Sequence, residues 1–246
     1  MASSHTPRIS IIIPTLKEEQ FLERTLENLK KITMPHQIII TDGGSTDRTL
    51  DIARRYTDRI AVWTHPHRQT FGQAKNAGGS HATGEFLVFI DADVLIPNPQ
   101  EFFEEVLSAF DNNKKLLGLT VPLKPWPENR SWVDAFFCAP LNWFYVISNN
   151  IFHSGNSSGE FQMIHREAFR RIGGYHEKLA AGEDNEIFRQ LASHGRTLSY
   201  WRLCVRHSLR RAHKLGWLRT YGIWIKNGLS VALRGKAAYE EWAVIR

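Results

Sequence analysis

Two aspartates, Asp91 and Asp93, stand directly after the apolar run 86–90. Five consecutive apolar residues predict a strand that is buried on both faces, and in a parallel sheet such a strand ends at the ligand crevice. A turn at Ala92 lets both carboxylates approach one ion, and carboxylate oxygens suit Mg²⁺ or Mn²⁺. The pair therefore predicts a divalent-cation site that also meets a substrate phosphate. The alternative is a polar strand end before Pro97.

A second acidic pair, Glu183 and Asp184, opens a predicted amphipathic helix that carries Ile187, Phe188 and Leu191. A general base must lie near an acceptor hydroxyl and take its proton during attack, and Asp184 is the candidate for that role. Carboxylates in the first turn of a helix are also favoured by the helix dipole. Helix capping is therefore the alternative interpretation.

Two loops that follow predicted strands contain further polar side chains. The first holds Pro14, Thr15 and Glu18, and the second holds Asp42 and Gly44. Both lie at the carboxyl edge of the predicted sheet and border one crevice. Asp42 and Thr15 are candidates for hydrogen bonds to a nucleobase, and a turn with a helix cap is the alternative for the second loop.

Lys75 lies in the first turns of a predicted helix over residues 72–82, just before the strand that leads to Asp91. The spacing leaves two interpretations open. Its ammonium group reaches a diphosphate or a base edge, or it is solvated.

Short apolar runs alternate with segments of helical periodicity along the first half of the chain. The predicted strands are 9–13, 38–40, 59–64, 86–90 and 117–123, and the predicted helices include 72–82 and 98–110. This alternation predicts an α/β fold with a mostly parallel, Rossmann-like sheet that helices cover on both faces. A Pro-rich break over 124–129 separates residues 1–124 from residues 125–246, two halves of one compact unit.

Composition sets limits on compartment and partners. The 246 residues are 42% hydrophobic and 23% charged, as in ordinary globular proteins, and the two cysteines have no zinc-site spacing. The amino terminus lacks a signal-peptide core, and no apolar stretch reaches the ~18 residues of a membrane span. We expect a cytoplasmic protein. The most apolar stretch, 136–152, is interrupted by polar residues and predicts a buried or interfacial helix.

The net charge of +6 comes from the last third of the chain. The basic residues there are Arg202, Arg206, Arg210, Arg211, Lys214, Arg219, Lys226, Arg234 and Lys236. Trp217, Tyr221 and Trp224 interleave with them. That mixture suits an anionic membrane surface better than nucleic acid, so we predict no nucleic-acid partner. A solvated basic face is the alternative.

The order of these motifs resembles that of family 2 glycosyltransferases with the GT-A fold. The first half contributes Ile11-Ile12-Ile13-Pro14-Thr15, Asp42-Gly43-Gly44-Ser45-Thr46-Asp47, Lys75-Asn76-Ala77-Gly78 and Asp91-Ala92-Asp93. The second half contributes Gly159-Glu160-Phe161-Gln162-Met163, Ile172-Gly173-Gly174-Tyr175 and Gly182-Glu183-Asp184. The resemblance covers residues 8 to 211.

The resemblance implies a nucleotide-diphosphate-sugar donor and inverting transfer by a single displacement. By this resemblance Asp42 binds the base, Asp93 is the main metal carboxylate, and Asp91 with Ala92 lies toward the ribose or a metal-bound water. Asp184 deprotonates the acceptor with support from Glu183. Arg210 and Arg211 lie on a late loop over the diphosphate, and His207 is a further candidate metal ligand. Residues 1–124 then bind the nucleotide sugar, and residues 125–246 bind the acceptor.

We therefore predict a glycosyltransferase that depends on Mn²⁺ or Mg²⁺ and is cytoplasmic or peripheral at the inner membrane face. A UDP-sugar is the first donor choice and GDP-mannose the second. The acceptor is a sugar, a small molecule or a polyprenyl lipid. One alternative is a sugar-phosphate nucleotidyltransferase, but that class generally has a Gly-rich basic loop where this chain has the acidic loop 16–19. The other is a non-catalytic membrane- or carbohydrate-binding module.

Overall fold

The computed structural model describes residues 7–129, 131–234 and 236–239. The strands are β1 (Ile9–Thr15), β2 (His36–Asp42), β3 (Ile60–Val62), β4 (Phe86–Ile90), β5 (Val94–Leu95), β6 (Leu116–Thr120), β7 (Leu123–Pro125), β8 (Phe161–His165), β9 (Arg196–Ser199) and β10 (Val205–His207). The helices are α1 (Leu22–Leu29), α2 (Thr49–Ala53), α3 (Phe71–His81), α4 (Pro99–Asn112), α5 (Trp132–Val146), α6 (Arg166–Arg171), α7 (Glu183–His194), α8 (Arg210–Leu215) and α9 (Trp217–Arg234). Residues 1–6, the amino terminus that was predicted to lack a signal peptide, lie outside the described residues. Residues 240–246 of the predicted second half also lie outside them.

The central sheet has seven strands in the order β3-β2-β1-β4-β8-β6-β9. Neighbouring pairs are parallel except at β8, which runs antiparallel to both β4 and β6. Six strands therefore point the same way, and their carboxyl ends meet at one edge. The predicted mostly parallel α/β sheet is confirmed.

Strand β8 comes from the second half of the chain and lies in the middle of this sheet. The sequence analysis used its residues only as a motif. In the antiparallel register Ile90 pairs with Phe161. The next residue after β4 and the residue before β8 therefore lie side by side at the edge where the parallel strands end.

A small second sheet has the order β5-β10-β7. The run 117–123, predicted as one strand, is divided between β6 and β7. The division falls at Pro122, which has no backbone N–H to donate and whose carbonyl accepts from Val205 N at 3.1 Å. The antiparallel pairing of β5 with β10 places His207 opposite Val94, next to the Asp91-Ala92-Asp93 turn.

Hydrophobic cores lie on both faces of the central sheet. One includes residues of α1, α4 and α5, and the other includes residues of α6 and α7. Helix α3 approaches β1 closely, because a Cβ at Gly78 would lie 2.3 Å from Ile12 Cγ2. Helices thus cover both faces, as predicted.

Helix α5 packs against α9. The Phe137 ring stacks on Trp217 with centroids 5.2 Å apart, and the Tyr221 hydroxyl donates to the Phe137 carbonyl. Trp217 is buried, and Tyr221 and Trp224 are half-buried. The aromatic side chains that the sequence suggested for a membrane surface therefore pack within the protein. No helix among the described residues is both long and apolar enough to span a membrane.

Candidate active site

The carboxyl edge of the central sheet carries an acidic cluster with one histidine. Asp91 and Asp93 follow β4, and His207 ends β10. One ligand atom from each of the three side chains lies within 4.8 Å of the others. The sequence proposed all three as metal ligands, and the pairing of β10 with β5 is what brings the histidine to the aspartates.

Asp93 is fully buried and has close polar neighbours. Its Oδ2 accepts a hydrogen bond from the Ser208 hydroxyl and lies 3.3 Å from Arg210 Nε. Burial opposes ionisation, but the charges of His207 and Arg210, together with that hydroxyl, hold the pKa of Asp93 well below its usual range. Asp93 is therefore a carboxylate at neutral pH.

The three residues fit a divalent cation. His207 Nε2 lies 3.0 Å from Asp93 Oδ1, yet this buried oxygen has no hydrogen-bond partner of good geometry among the described residues. Burial and the charges of Glu160 and Asp93 raise the pKa of Asp91 to about 8, a sign of uncompensated negative charge. Two carboxylates and an imidazole are ligands that Mn²⁺ accepts.

Glu160 belongs to this cluster, although the sequence analysis gave it no role. It precedes β8, opposite Asp91 in the extended register of the β4–β8 pair. Its charge contributes to the raised pKa values of both Asp91 and His207. Only the antiparallel insertion of β8 reveals this position, since Glu160 is 69 residues from Asp91 along the chain.

Arg210 forms a fork with Glu18 at the same edge. Its Nη1 and Nη2 lie 2.7 and 2.8 Å from the two carboxylate oxygens of Glu18, and its guanidinium carbon lies 4.8 Å from the Phe21 ring centroid. Glu18 and Arg210, two predicted donor-site residues 192 positions apart, are thus brought together. Arg211 is half-buried, and burial followed by the charge of Arg210 lowers its pKa.

The Asp42 carboxylate is engaged by its own loop. Oδ1 accepts from the backbone N–H groups of Gly44 and Ser45, at 3.0 and 2.7 Å, and Oδ2 accepts from the hydroxyls of Thr15 and Ser45. Gly44 has φ +90°, a left-handed conformation that favours glycine. Asp42 therefore joins the loop after β2 to the end of β1. Pro14 lies next to Thr15 in that strand and is half-buried.

Lys75 lies beside the first turn of α7. It is 2% exposed, so the solvated alternative is wrong. Its Nζ donates to Asp184 Oδ1, lies 3.4 Å from Glu183 Oε1, and lies 4.9 Å from the Tyr175 ring centroid. Burial disfavours the charged amine, but Asp184 and Glu183 hold the pKa of Lys75 well above its usual value.

The Glu183–Asp184 pair begins α7 without capping it. Gly182 is the cap residue, and no side chain caps this end of the helix. Glu183 is buried, and burial together with the charge of Asp184 raises its pKa to about 7 against the opposing charge of Lys75. Asp184 is partly exposed, and a Cβ at Gly159 would lie 2.5 Å from its Oδ2. Gly159 thus packs directly against this carboxylate, at a position where a side chain would not fit.

An acidic, cation-compatible cluster at the carboxyl edge of a mostly parallel sheet is the architecture of GT-A nucleotide-sugar enzymes. Comparison with protein families agrees, since the family model "Glycosyl transferase family 2" matches residues 10–173. The chain belongs to glycosyltransferase family 2.

Curated relatives bear related names. The chain is 34% identical over 241 residues to the validoxylamine A glucosyltransferase of Streptomyces hygroscopicus subsp. limoneus, covering 79% of this chain and 50% of the relative. It is 26% identical over 217 residues to the O-antigen chain rhamnosyltransferase WbaN of Salmonella anatum, covering 84% and 67%. The chain thus spans about half the length of the first of these.

Solved structures share the fold at lower identity. The mannosyltransferase PcManGT of Pyrobaculum calidifontis, in complex with GDP-Man and Mn²⁺, superposes with a TM-score of 0.70 at 20% identity, covering 92% of this chain and 63% of that one. S. aureus TarS 1-349 in complex with UDP-GlcNAc gives a TM-score of 0.61 at 20% identity, covering 80% and 57%. These likenesses confirm the GT-A fold.

Proposed function

We propose that this protein transfers a sugar from a nucleotide-diphosphate donor to an acceptor hydroxyl or phosphate, with a divalent cation and with inversion at the sugar carbon. The observation that carries the proposal is the presence of two acidic clusters at one edge of the sheet. One contains Asp91, Asp93 and His207, and the other contains Glu183 and Asp184. Such a pair separates the binding of the leaving group from the activation of the nucleophile.

On the donor side, Asp91, Asp93 and His207 would hold Mn²⁺ or Mg²⁺. When bound, the cation neutralises charge that develops on the departing diphosphate. Arg210 is held toward this cluster by Glu18, so it adds fixed positive charge that needs no reorganisation during the reaction. Arg211 follows it at the start of α8.

On the acceptor side, Asp184 would take the proton of the attacking hydroxyl. Its Oδ1 is occupied by Lys75, which leaves Oδ2 as the accepting atom. The buried ammonium group of Lys75 donates to Oδ1 and so holds the carboxylate of the base in one orientation. Lys75 is a positioning residue in this scheme, and its positive charge also acts on the carboxyl group of Glu183. A base that acts on the face opposite the leaving group produces inversion.

The donor is a UDP-sugar in the first instance and GDP-mannose in the second. Structures of the same fold in complex with UDP-GlcNAc and with GDP-Man support both choices. The acceptor belongs to a sugar, a small molecule or a polyprenyl lipid, and the enzyme works in the cytoplasm or at the inner face of the membrane. In this scheme the base and the ribose are bound near Thr15, Asp42 and Gly44.

A panel of nucleotide sugars tests the proposal. Thermal unfolding is recorded with each donor, with and without MnCl₂, because a ligand that binds only the folded state raises the melting temperature. We expect one donor to stabilise the protein in a metal-dependent manner. That donor is then incubated with candidate acceptors, and the anomeric configuration of the product is read by NMR.

The assays also separate the alternatives. A nucleotidyltransferase would release pyrophosphate from a nucleoside triphosphate and a sugar 1-phosphate. A binding module would be stabilised by a carbohydrate without turning over any donor. Either result, or retention of configuration in the product, would contradict the proposal.

A further inference from the structure

Helix α5 exposes an apolar surface. Each residue of α5 that is exposed is apolar, and the largest of these side chains include Trp132 at 81% and Trp143 at 64% exposure. Trp132, Phe136 and Trp143 recur at a spacing that places them on one side of α5, and Ile147 opens the wider helical turn Ile147–Ile151 that continues it. We call this surface, with Phe144 and Ile151, the α5 face. A contiguous apolar patch of this size on a protein surface marks an interaction site.

The opposite side of α5 already has its partners. Phe137 stacks on Trp217, Asn142 bonds the backbone of Leu123, and Cys138 is buried in the core. The packing of α5 onto the protein therefore does not require the α5 face. The aromatic side chains that point outward are therefore additional to the contacts that hold α5 on the protein.

Basic residues predominate in the part of the chain that packs beside this face. Between residues 187 and 239 the sequence has eleven Lys and Arg residues and no Asp or Glu. Within 131–159 the only carboxylate is Asp134, which is buried and accepts hydrogen bonds from Trp217 Nε1 at 2.8 Å and from Ser131. Helix α9, which packs on α5, exposes Arg219 and Lys226 beside Leu218, Ile225 and Leu229.

Exposed tryptophan and phenylalanine beside a helix that exposes Arg219 and Lys226 is a composition that binds the interface of an anionic bilayer. Two copies of this chain joined through the α5 face would instead bring two sets of like charges together.

We propose that the α5 face, supported by Arg219 and Lys226, docks this protein on an anionic phospholipid surface. Trp132, Phe136 and Trp143 enter the interfacial region, while the basic side chains of α9 meet the headgroups. This proposal deepens the proposed function by naming the surface that brings the enzyme to a lipid-linked acceptor. It moves the membrane contact from the packed aromatics Trp217 and Trp224 to the outer side of α5.

Co-sedimentation with vesicles tests the docking, with no nucleotide sugar present. Phosphatidylcholine vesicles are compared with vesicles that also contain phosphatidylglycerol, at low and high salt. We expect binding to the anionic vesicles that salt weakens. Phe136→Ser with Trp143→Ser should reduce the partition coefficient by about tenfold or more. Phe71→Ser, an exposed aromatic residue of α3 on the other face of the sheet, is the matched control and should bind as the wild type does.

Brominated lipids give a second readout that does not depend on the serine variants. Quenching of tryptophan fluorescence should occur with the wild type and fall when Trp132 and Trp143 are both replaced by Phe. Equal recovery in the supernatant with both lipid types would overturn the proposal, and so would undiminished binding of the serine variant. A wild-type protein that forms dimers, which the serine variant does not form, would also overturn it, because the α5 face would then join two copies of the chain. Metal-dependent donor binding is measured separately, so a failure here is distinguishable from a failure of the proposed transferase activity.

Discussion

The two acidic clusters at the edge of the sheet differ in how their charge is compensated. Asp184 and Glu183 have a buried partner within the chain, the ammonium group of Lys75. Asp91, Asp93 and Glu160 have His207 and Arg210 nearby, but Arg210 is shared with Glu18. Each cluster has one cation for every two carboxyl groups. In the first, a single buried ammonium group lies against both carboxylates, whereas in the second the buried Asp93 Oδ1 has no hydrogen-bond partner of good geometry among the described residues.

In the proposed mechanism the two clusters have different tasks. A cation that arrives and leaves with the donor must find a site with negative charge to spare, whereas a general base needs a fixed environment throughout the reaction. Within the cluster of Asp91, Asp93 and His207, burial and the charges of Glu160 and Asp93 raise the pKa of Asp91 to about 8, whereas His207 and Arg210 depress the pKa of Asp93.

The largest effect is expected from Asp93→Asn, which removes one negative charge from the cation site. We expect a loss of turnover of about a thousandfold, because a metal ion contributes several kcal/mol of charge stabilisation in the transition state. Calorimetric titration with nucleotide and Mn²⁺ should show no metal-dependent binding. The melting temperature without metal is the control, and wild-type affinity in this variant would contradict the assignment.

Asp184→Asn should affect chemistry and spare donor binding. We expect turnover to fall by about a hundredfold or more, the usual scale for loss of a general base. The affinity for nucleotide and metal should stay near that of the wild type, since Asp184 lies in the other cluster. If turnover with a hydroxyl acceptor were unchanged, the division of labour between the two clusters would be wrong.

Lys75→Met tests the role of the buried ammonium group beside Glu183 and Asp184. Without the ammonium group, Glu183 and Asp184 repel each other and one of them retains a proton to a higher pH. We expect the acid limb of the kcat profile to move up by about one pH unit or more. Lys75→Arg should keep most of the wild-type profile, and Lys17→Met, at an exposed lysine, is the matched control. A uniform loss of activity with no shift of the limb would indicate a structural role alone.

The smallest effect is a pH dependence of metal binding. Burial lowers the pKa of His207, but Asp93 more than offsets this and raises it to about 9 in the metal-free protein. A ligating imidazole must be neutral, so the cation displaces a proton and its affinity increases with pH below 9. We expect a rise of up to about tenfold per pH unit for each proton released, measured by calorimetry between pH 6 and 8. His207→Asn should reduce this dependence to the part that comes from Asp91, whose pKa is about 8, and a slope unchanged in that variant would remove His207 from the ligand set.

The sequence alone predicts most of the first half of this fold. The helix predicted at 72–82 is α3, Phe71–His81, and the strand predicted at 86–90 is β4. These elements can be predicted because their hydrophobic periodicity is local and does not depend on a distant partner. The same holds for Asp91 and Asp93, whose position at a strand end follows from five residues before them.

Other features of the site depend on contacts between distant residues. Lys75 meets Asp184 across 109 residues, Glu160 reaches Asp91 only through the insertion of β8, and Ser208 bonds Asp93 across 115 residues. Nothing within a local window distinguishes Lys75 from a solvated lysine, or the outward side of α5 from a buried one. The sequence determined most strands and helices of the first half, because these follow from local periodicity. The tertiary structure decided which charges face one another and which aromatic residues face outward, because burial and ion pairing are properties of the packed chain.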